Sequence, residues 1–523
     1  MLEQERPPLE SKKKFEQEKK RTIHDESKKE SISNSQNHTT KSHQNHNPSL
    51  KSDPLQYPHL KFSFFLNPIE ALPNSQSESM AVRAHDRVRF NVGGRIFETT
   101  TTTLANAGRD SMFGAMLDDN WSHPLRSPDG GEDHFIDRNP DCFSVLLDLL
   151  RTGELHPSPA APERLLYKEA AFYGLLDHVR AAKFGPFDGN RLRHAASISG
   201  RAPGDGTAIR AAPDGGCCVA HGSMVHVYDW TLDELPPISL DYQRVNDAGY
   251  LSPSRLVVTA RGGMRLFSAS DARLLHRYEV AHASATKKKQ SFTAGALCFG
   301  ARGFVCASCK GRCNEHGIGV WDENTGQQLD FFYESPDCAS LGEADRLQWL
   351  DDRNCLMVST LFPKTDNCFI GLLDLRLKKV VWSWRDVGSV LSGAEEKRVL
   401  DAIAIEESGS VCVVNQFDDL GFLDMRGGGA GAVRWRSRSR LMKGTMPDEL
   451  CYPKLRAYRG QLFSSMNDSV SVFSGREWVL TSRLRRSYGG SICDFSIGGD
   501  RLFVLHSEEN VFDVWDAPPL TMI

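Results

Sequence analysis

The feature that most constrains the fold is a strand-like signature that recurs seven times after residue 220. Each copy alternates apolar with smaller or polar residues and closes on an aspartate or a turn. The copies are Val225–Asp229, Met264–Phe267, Ile318–Asp322, Gly371–Asp374, Gly421–Asp424, Val470–Phe473 and Phe512–Asp516. Alternation of this kind predicts β-strands that bury one face. The region from about residue 190 to the end is therefore predicted to be all-β.

The spacing of these copies indicates a particular all-β architecture. About 330 residues shared among seven copies gives about 47 residues per unit, close to the period of a four-stranded propeller blade. Each blade needs its neighbours to bury its faces, so the set is predicted to close into a disc. We expect residues 190–523 to form a seven-bladed β-propeller of WD-like repeats. In it, the strand near 511–516 pairs with sequence from the start of the region.

The region before the repeats mixes strand and helix signals. Arg87–Val92 alternates apolar and polar side chains, Gly93-Gly94 supplies a tight turn, and Arg95–Thr99 returns as the partner strand. Asn139 followed by Pro140 predicts the start of a helix, because asparagine caps helices and proline favours their first position. This part is predicted to be an α/β domain.

Four sequence blocks in this region resemble the potassium-channel tetramerisation-type BTB/POZ domain. They are Arg-Val-Arg-Phe-Asn-Val-Gly-Gly at 87–94, Phe-Ile-Asp-Arg-Asn-Pro at 135–140, Leu-Leu-Arg-Thr-Gly-Glu-Leu at 149–155 and Glu-Ala-Ala-Phe-Tyr-Gly at 169–174. We therefore identify residues 85–185 as similar to this domain. The resemblance implies self-association in rings and, in soluble members of the family, docking onto a cullin-3 ubiquitin ligase. Taken whole, the chain after residue 80 resembles plant BTB-domain proteins with a C-terminal WD-like propeller.

Residues 1–79 differ in composition from both of these regions. They are rich in Lys, Glu, Ser, Asn, Gln and His and poor in large apolar groups. Such a segment cannot bury enough surface to offset the entropy of ordering, so we predict a disordered tail. Met80 directly precedes the first ordered-looking sequence, which raises the hypothesis that the native product starts there.

The overall composition excludes several classes of partner. The formal charge of −4 gives no basic field that would attract nucleic acid. No stretch is long and apolar enough to insert into a membrane, which excludes a channel subunit. The 13 cysteines are scattered and lack the regular spacing of a disulfide framework, which suits reduced thiols in the cytoplasm or nucleus.

One cluster of side chains could bind a metal ion or could simply pack in the core. It combines soft ligands within eleven residues: Cys306, Cys309, Cys313 and His316. However, Phe304–Ser308 and Ile318–Trp321 are predicted strands joined by a hairpin, which favours packing of Cys306. Cys217 and Cys218 are adjacent in a predicted strand, so they point to opposite faces and are expected to fill the core. No metal is predicted here or in the BTB-type domain, whose segment Tyr167–Val179 lacks the cysteine pair of zinc-binding channel versions.

Signals for catalysis or cofactor binding are missing. The sequence has no phosphate-cradling Gly-rich loop followed by Lys-Ser/Thr, no Gly-x-Ser-x-Gly elbow and no His-Glu-x-x-His helix. We predict that the chain is not an enzyme and takes no cofactor. Two basic stretches remain, Lys287–Lys289 in a loop and Arg434–Arg440 on a strand with one cationic face. The alternative for the second is a basic patch that attracts an acidic segment or phosphate.

These expectations combine into a homo-oligomeric, non-catalytic adaptor that acts as substrate receptor of a cullin-3-type ubiquitin ligase. The BTB-type domain would bind the scaffold, and the propeller would capture a protein substrate. By resemblance, the cullin-facing residues are Phe113, Met116, Leu117, Asp118, Asp119, Arg151 and Glu154. At least one of Phe113 and Leu117 is expected to lie in the core. By the same resemblance, the contacts between subunits come from Arg89, Asp137 and Arg138.

A second interpretation fits the same residues. The chain would be a homo-oligomeric scaffold in signalling or transcriptional complexes, or an auxiliary factor for a membrane protein, without association with a ligase. Binding of the cullin-3 N-terminal domain separates the two interpretations.

Overall fold

The structure is a computed structural model that describes most residues between 87 and 519. The described ranges are 87–109, 111–117, 134–156, 158–199, 206–241, 243–281, 289–290, 292–300, 303–311, 316–335, 340–364, 368–385, 398–427, 432–436, 451–507 and 511–519. They all belong to one compact unit. The predicted disordered tail lies outside the described residues, as does Met80.

The first part of this unit is an α/β domain. Its three-stranded sheet has the order β2-β1-β3, with β1 antiparallel to β2 and parallel to β3. The elements are β1 Arg87–Val92, β2 Arg95–Thr100, α1 Thr101–Ala105, α2 Met112–Leu117, β3 His134–Ile136, α3 Pro140–Thr152, α4 Glu163–Tyr173 and α5 Leu176–Phe184. None of the helices in the described ranges is long and apolar enough to cross a membrane.

The turn and helix signals of this domain are confirmed. Gly93 and Gly94 have φ angles of 54° and 89°, which side-chain-bearing residues adopt only with strain, so the β1–β2 hairpin depends on the glycine pair. Asn139 accepts hydrogen bonds from the backbone N–H of Asp141 at 3.0 Å and of Cys142 at 2.9 Å. It therefore caps α3 as predicted.

Four aromatic rings hold the core of this domain together. Phe90 lies 5.9 Å from both Phe113 and Phe143 between ring centroids, and Tyr173 stacks on Phe113 at 5.4 Å. All four side chains are at most 1% exposed. Aromatic pairs at these distances stabilise beyond the area that they bury. Phe113 thereby fixes α2 between the sheet and α4.

The second part is a β-propeller, and seven four-stranded antiparallel sheets form its blades within the described residues. In the first three blades the strands are β5 Gly206–Ala211, β6 Cys217–His221, β7 Met224–Tyr228 and β8 Ile238–Ser239; β9 Val245–Ser252, β10 Arg255–Ala260, β11 Gly263–Ser268 and β12 Leu274–Arg277; and β15 Phe292–Gly300, β16 Phe304–Gly311, β17 His316–Asp322 and β18 Gln328–Tyr333. A small hairpin, β13 Val280–Ala281 and β14 Lys289–Gln290, follows the second blade.

The remaining four blades follow the same plan. Their strands are β19 Arg346–Leu350, β20 Cys355–Thr360, β21 Phe369–Asp374 and β22 Lys379–Arg385; β23 Val399–Ile405, β24 Ser410–Asn415, β25 Leu420–Asp424 and β26 Arg434–Arg436; β27 Leu455–Tyr458, β28 Gln461–Met466, β29 Ser469–Ser474 and β30 Val479–Arg485; and β31 Ile492–Gly498, β32 Arg501–His506, β33 Val511–Asp516 and β4 Arg193–Ser199. Each of the seven recurring signatures lies in the third strand of its blade, so the predicted repeat is confirmed.

The seventh blade joins the two ends of the propeller sequence. Its outer strand β4 precedes the first blade in the chain and pairs antiparallel with β33, with Ser199 opposite Val511 and Arg193 opposite Asp516. The predicted pairing of the strand near 511–516 with the start of the region is thus confirmed. Closure of this kind leaves each blade with a neighbour on both sides, which the burial of its faces requires.

The α/β domain packs against one face of the propeller. The first strand of each blade contacts the first strand of the next around a closed ring, so these seven strands are the inner strands. From α5, Arg180 donates a hydrogen bond to the Asp214 carbonyl, and its Nε lies 3.4 Å from Asp500 Oδ1. Asp214 and Asp500 lie in turns that follow the ends of the inner strands β5 and β31. The α/β domain therefore covers the face on which the inner strands end.

Aromatic contacts extend this interface on both sides of Arg180. Tyr167 of α4 stacks on Trp230 of the first blade with ring centroids 5.0 Å apart. Phe187, in the segment between α5 and β4, lies edge-on to Tyr458 of the sixth blade at 4.9 Å. Because buried aromatic groups and a buried cation join the two parts, the interface fixes the α/β domain relative to the propeller.

Candidate protein-interaction surfaces

The predicted cullin-facing residues occupy different environments. Phe113 is 1% exposed and belongs to the aromatic core, so it is the core member expected of the pair with Leu117. Met116 and Leu117 are half-buried on α2 and pack against the edge of that core. Asp118 and Asp119 lie outside the described residues. Among the described residues of α2, Ala115 alone is exposed.

Arg151 and Glu154 lie exposed at the C-terminal end of α3. Arg151 donates one hydrogen bond to Asp148 at 3.1 Å and one to the Glu98 carbonyl of β2 at 2.7 Å. Its guanidinium is thereby held against the sheet. Glu154 lies 3.5 Å from His156, and its side chain is 75% exposed. Among the described members of the predicted set, Glu154 offers the most accessible charge for a partner.

The predicted inter-subunit residues mostly form contacts within the chain. Arg89 pairs across the sheet with Glu98 at 3.3 Å. Arg138 lies 3.5 Å from Glu169 and 3.7 Å from the centre of the Phe172 ring. Asp137 is exposed between β3 and α3.

The outer face of the small sheet carries an exposed apolar row that sequence reasoning did not single out. The register places Asn91 beside both Ile96 and Phe135, and the two apolar side chains are 42% and 65% exposed. The alternation of His134-Phe135-Ile136 was the available signal, because burial of Ile136 forces Phe135 to the opposite face. These two exposed apolar side chains, on either side of Asn91, make this face a candidate surface for contact with another protein chain.

The propeller has a wide opening on the face where its inner strands begin. The cavity measures about 990 Å³. Its charged lining residues, among those described, are seven cations and five acids: Arg210, Arg244, Lys310, Arg346, Lys364, Lys454 and Arg456, with Asp247, Glu343, Asp345, Asp401 and Asp494. We call this opening the mouth. It lies opposite the α/β domain, because that domain packs on turns after the inner strands.

Arginine–aspartate bridges connect neighbouring blades inside the mouth. Arg210 of the first blade lies 2.6 Å from Asp247 of the second and 2.5 Å from Asp494 of the seventh. Asp494 also binds Arg456 of the sixth blade at 3.2 Å. Burial alone would lower the pKa of Arg210, but the charges of the two aspartates raise it above its ordinary value. The guanidinium therefore remains charged and ties adjacent blades together.

The aspartates of these bridges occupy positions equivalent to that of Asp401, which lies 3.2 Å from Arg346 of the fourth blade. Asp247, Asp401 and Asp494 each sit next to a register shift in an inner strand. Each accepts a hydrogen bond from the backbone N–H of the following residue at 2.9 Å. Each also accepts one from the inner strand of the next blade, at 3.2, 2.6 and 3.2 Å respectively. Sequence reasoning missed them. The available signal was an aspartate followed by alanine or phenylalanine in the first strand of a repeat.

Cations and aromatic rings remain accessible at the rim of the mouth. Arg244 and Lys364 are exposed and Lys454 is half-buried. Phe362 and Tyr452 lie 6.3 Å apart between ring centroids. Aromatic side chains and arginine are enriched at protein–protein interfaces. The mouth is thus the principal candidate surface of the propeller.

The cysteine cluster does not converge on one point. Cys306 and Cys309 are on the same strand but belong to the apolar clusters on its two faces. Burial raises the pKa of both thiols, that of Cys309 to about 12, so both are protonated at neutral pH. Cys313 lies outside the described residues, and within the described ranges no group of three or more potential ligands is arranged around a metal.

The other sequence-predicted features lie as follows. Cys217 and Cys218 pack in separate apolar clusters, which confirms their opposite orientations. Arg434 and Arg436 are exposed on β26, and Arg436 pairs with Glu477 at 3.0 Å. Residues 437–440 lie outside the described residues, as do Lys287 and Lys288, whereas Lys289 belongs to strand β14 and not to a loop as predicted.

Comparison with known proteins matches both parts of the chain. Residues 88–182 match the BTB/POZ domain family, and residues 200–517 match the family described as At2g24240-like, C-terminal beta propeller. The chain is 65% identical over 448 residues to BTB/POZ domain-containing protein At4g30940 of Arabidopsis thaliana, covering 84% of this chain and 99% of the relative. It is 65% identical over 445 residues to BTB/POZ domain-containing protein At2g24240 of the same plant, with the same coverage. BTB/POZ domain-containing protein KCTD9 of Homo sapiens is 35% identical over 106 residues, 18% of this chain and 25% of that protein.

Proposed function

Because the chain belongs to the family of BTB/POZ domain proteins with an At2g24240-like C-terminal β-propeller, we propose that it is a substrate receptor of a cullin-3-type ubiquitin ligase. The coarser statement, an adaptor or interaction scaffold built from two interaction domains, follows from the family. The finer one assigns cullin binding to the BTB domain and substrate capture to the mouth of the propeller. The proposal places this activity in the cytoplasm or nucleus.

One observation carries the proposal: the BTB domain and the mouth lie on opposite faces of a single compact unit. A partner in the mouth would be held at a fixed distance from whatever binds the BTB domain. Such positioning converts a bimolecular encounter into a nearly intramolecular one, so the adaptor needs no catalytic group of its own. We propose that the chain is non-catalytic for this reason.

Self-association would add avidity to contacts at the mouth. We propose that the exposed row containing Ile96 and Phe135 is covered by a second copy of the chain, since its 65% exposed phenylalanine is costly to leave in water. Light scattering on the full-length protein should give a multiple of 58.3 kDa. Phe135→Asp should lower the oligomer mass. Leu329→Asp, at a 60% exposed residue on β18, the outer strand of the third blade, should not.

The test of the cullin proposal is a pull-down of the full-length protein with the cullin-3 N-terminal domain. Binding should be retained by Glu407→Lys, an exposed charge reversal on the propeller, and weakened by Glu154→Lys on the BTB domain. The expected loss is about tenfold, as for one interfacial charge pair. Failure of the unmodified protein to bind would refute the proposal.

One observation favours the scaffold without a ligase. Arg151, one of the residues that the family resemblance assigns to cullin, is already hydrogen-bonded within the chain to Asp148 and to the Glu98 carbonyl. An oligomeric protein that binds no cullin would support this second function.

A further inference from the structure

We propose that the mouth recognises a short acidic or phosphorylated segment of its protein partner, an inference that rests on the function proposed above because that function places substrate capture there. The cavity of the mouth measures about 990 Å³. A concave site of this size takes a small ligand or a few residues of a partner chain, not a folded domain. The charges that line the cavity therefore decide which segment of a partner can enter.

The ion pairs inside the mouth expose their positive members. Among the described lining residues, six pairs form, and in each the cation is more exposed to solvent than its carboxylate. Lys364 is 51% exposed, for example, and its partner Asp345 is 24% exposed. The six pairs are Arg210–Asp247, Arg210–Asp494, Arg456–Asp494, Arg346–Asp401, Lys364–Asp345 and Lys310–Glu343. A ligand in the mouth thus meets ammonium and guanidinium groups before it meets carboxylates.

The mouth also contains more cations than acids. Its described lining has seven cations and five acids, so two positive charges remain when each carboxylate is matched with one cation. Arg244 and Lys454 are the two cations that take part in none of the six pairs. Arg244 directly precedes the inner strand of the second blade, and Lys454 directly precedes that of the sixth. The chain as a whole has a formal charge of −4, so this positive excess is a local property of the mouth.

Two lysines from different blades flank one carboxylate at the rim. Lys364, which follows β20 of the fourth blade, lies 3.0 Å from Asp345. Burial raises the pKa of Asp345, and the nearby charges of Lys364 and of Lys454 from the sixth blade oppose that rise. One carboxylate cannot neutralise two ammonium groups. An incoming carboxylate or phosphate would supply the missing negative charge, and charge-assisted hydrogen bonds to such groups are about twice as strong as neutral ones.

Aromatic rings lie beside these lysines. Phe362 is two residues before Lys364, and Tyr452 is two residues before Lys454. The two ring centroids are 6.3 Å apart, and the guanidinium of Arg398, at the start of the fifth blade, lies 4.5 Å from the centre of the Phe362 ring. A ligand whose acidic group reaches the lysines can place an apolar neighbour against these rings. Burial of that neighbour adds to the binding energy of the charges.

The observations favour an acidic polypeptide over a nucleic acid. A single strand of nucleic acid carries a phosphate on every nucleotide and is bound by a positively charged groove that follows its backbone. The cations of the mouth instead surround one opening, and each is close to the carboxylates that share its lining. The formal charge of the chain, −4, gives no broad field that would attract a polyphosphate backbone.

The experiment measures fluorescence anisotropy of labelled short peptides added to the full-length protein. The first probe carries a run of glutamates next to a phenylalanine, and a second has phosphoserines in place of the glutamates. Control peptides have glutamine or lysine at the same positions. Both acidic probes should bind about tenfold more tightly than the glutamine peptide, and their affinity should fall as salt is raised. Lys364→Glu should weaken their binding by about tenfold or more, since it turns an attraction into a repulsion.

The matched control is Lys378→Glu on the same blade. Lys378 is also an exposed lysine in a pair with an aspartate, 2.8 Å from Asp330, but it lies in the turn between β21 and β22, on the face opposite the mouth. This variant should leave binding unchanged, and Lys364→Arg should retain it because the charge is kept. Circular dichroism should show all three variants folded, since both side chains are exposed.

The cullin pull-down separates this inference from the proposed function. Lys364→Glu should still bind the cullin-3 N-terminal domain, so a loss of peptide binding and a loss of cullin binding are independent results. The inference is overturned if no acidic peptide binds, or if the glutamine or lysine peptide binds as tightly as the acidic ones. It is also overturned if Lys364→Glu and Lys378→Glu weaken binding equally, or if an oligothymidine displaces the acidic peptides and binds more tightly than they do.

Discussion

The interface between the BTB domain and the propeller offers a sharp test of how burial decides the strength of an ion pair. Two arginines cross this interface. Arg180 lies 3.4 Å from Asp500, and its side chain is 5% exposed. Arg164 lies closer to its partner, 2.7 Å from Asp233, but both side chains of that pair are 62% exposed. Distance alone would make the Arg164–Asp233 ion pair the stronger one, whereas burial makes the Arg180–Asp500 pair stronger.

The expected magnitudes differ several-fold. Arg180→Ala removes a charge-assisted hydrogen bond to the Asp214 carbonyl and leaves Asp500 without its buried partner. Breaking one side of a buried pair costs about 3 kcal/mol or more. Arg164→Ala removes an exposed pair, which contributes about 0 to 1 kcal/mol because water screens it. Both variants should leave the core of each domain intact.

Hydrogen exchange measured by mass spectrometry reports the effect at the interface itself. A cost of about 3 kcal/mol corresponds to about a 150-fold increase in local opening. We expect an increase of this size for Arg180→Ala in the turns 212–216 and 498–501, and less than about fivefold for Arg164→Ala. Equal exchange in the two variants, or a larger effect of Arg164→Ala, would refute the argument from burial.

Three further predictions concern the propeller. Asp494→Asn should lower the free energy of unfolding by about 3 kcal/mol in urea, because the buried carboxylate joins three blades, whereas Asp424→Asn at an exposed pair should cost less than about 1 kcal/mol. Burial alone would raise the pKa of Asp513, but hydrogen bonds from His506 and Ser197 and nearby positive charge lower it. Its contribution to stability is therefore complete above the unfolded pKa of about 3.9 and lost as the pH falls through the lower folded value; Asp513→Asn should flatten this part of the stability profile. Finally, burial raises the pKa of Cys218 to about 12, so this thiol should react with a disulfide reagent at pH 8 only after denaturation.

The local parts of the fold could be read from the sequence. The Gly93-Gly94 hairpin, the Asn139 cap and the seven third strands all depend on residues that are neighbours along the chain. Alternation, capping and turn conformation are local properties, so they survive in any tertiary context that buries the right face.

The candidate surfaces could be predicted only in part. Helical spacing placed Phe113 on an apolar face of α2, but the packing of Phe143 and Tyr173 against it decided that it is core. Arg138 lies in a recognisable motif between β3 and α3, but Glu169 and the Phe172 ring, which contact it, belong to α4. Such partners cannot be deduced from periodicity, because several faces of a short helix are compatible with one pattern.

By itself, then, the sequence determined the kinds of element and their order: one α/β domain, then a series of four-stranded repeats. Tertiary structure alone decided which residues meet across the ring. Arg210 and Asp494 are 284 residues apart in sequence and are brought together by closure of the seventh blade onto the first. The mouth and the attachment of the BTB domain both arise in this way. The repeat pattern indicated that the last strand would meet the start of the propeller, but closure of the ring fixes by geometry which side chains become adjacent, and no local pattern records those pairs.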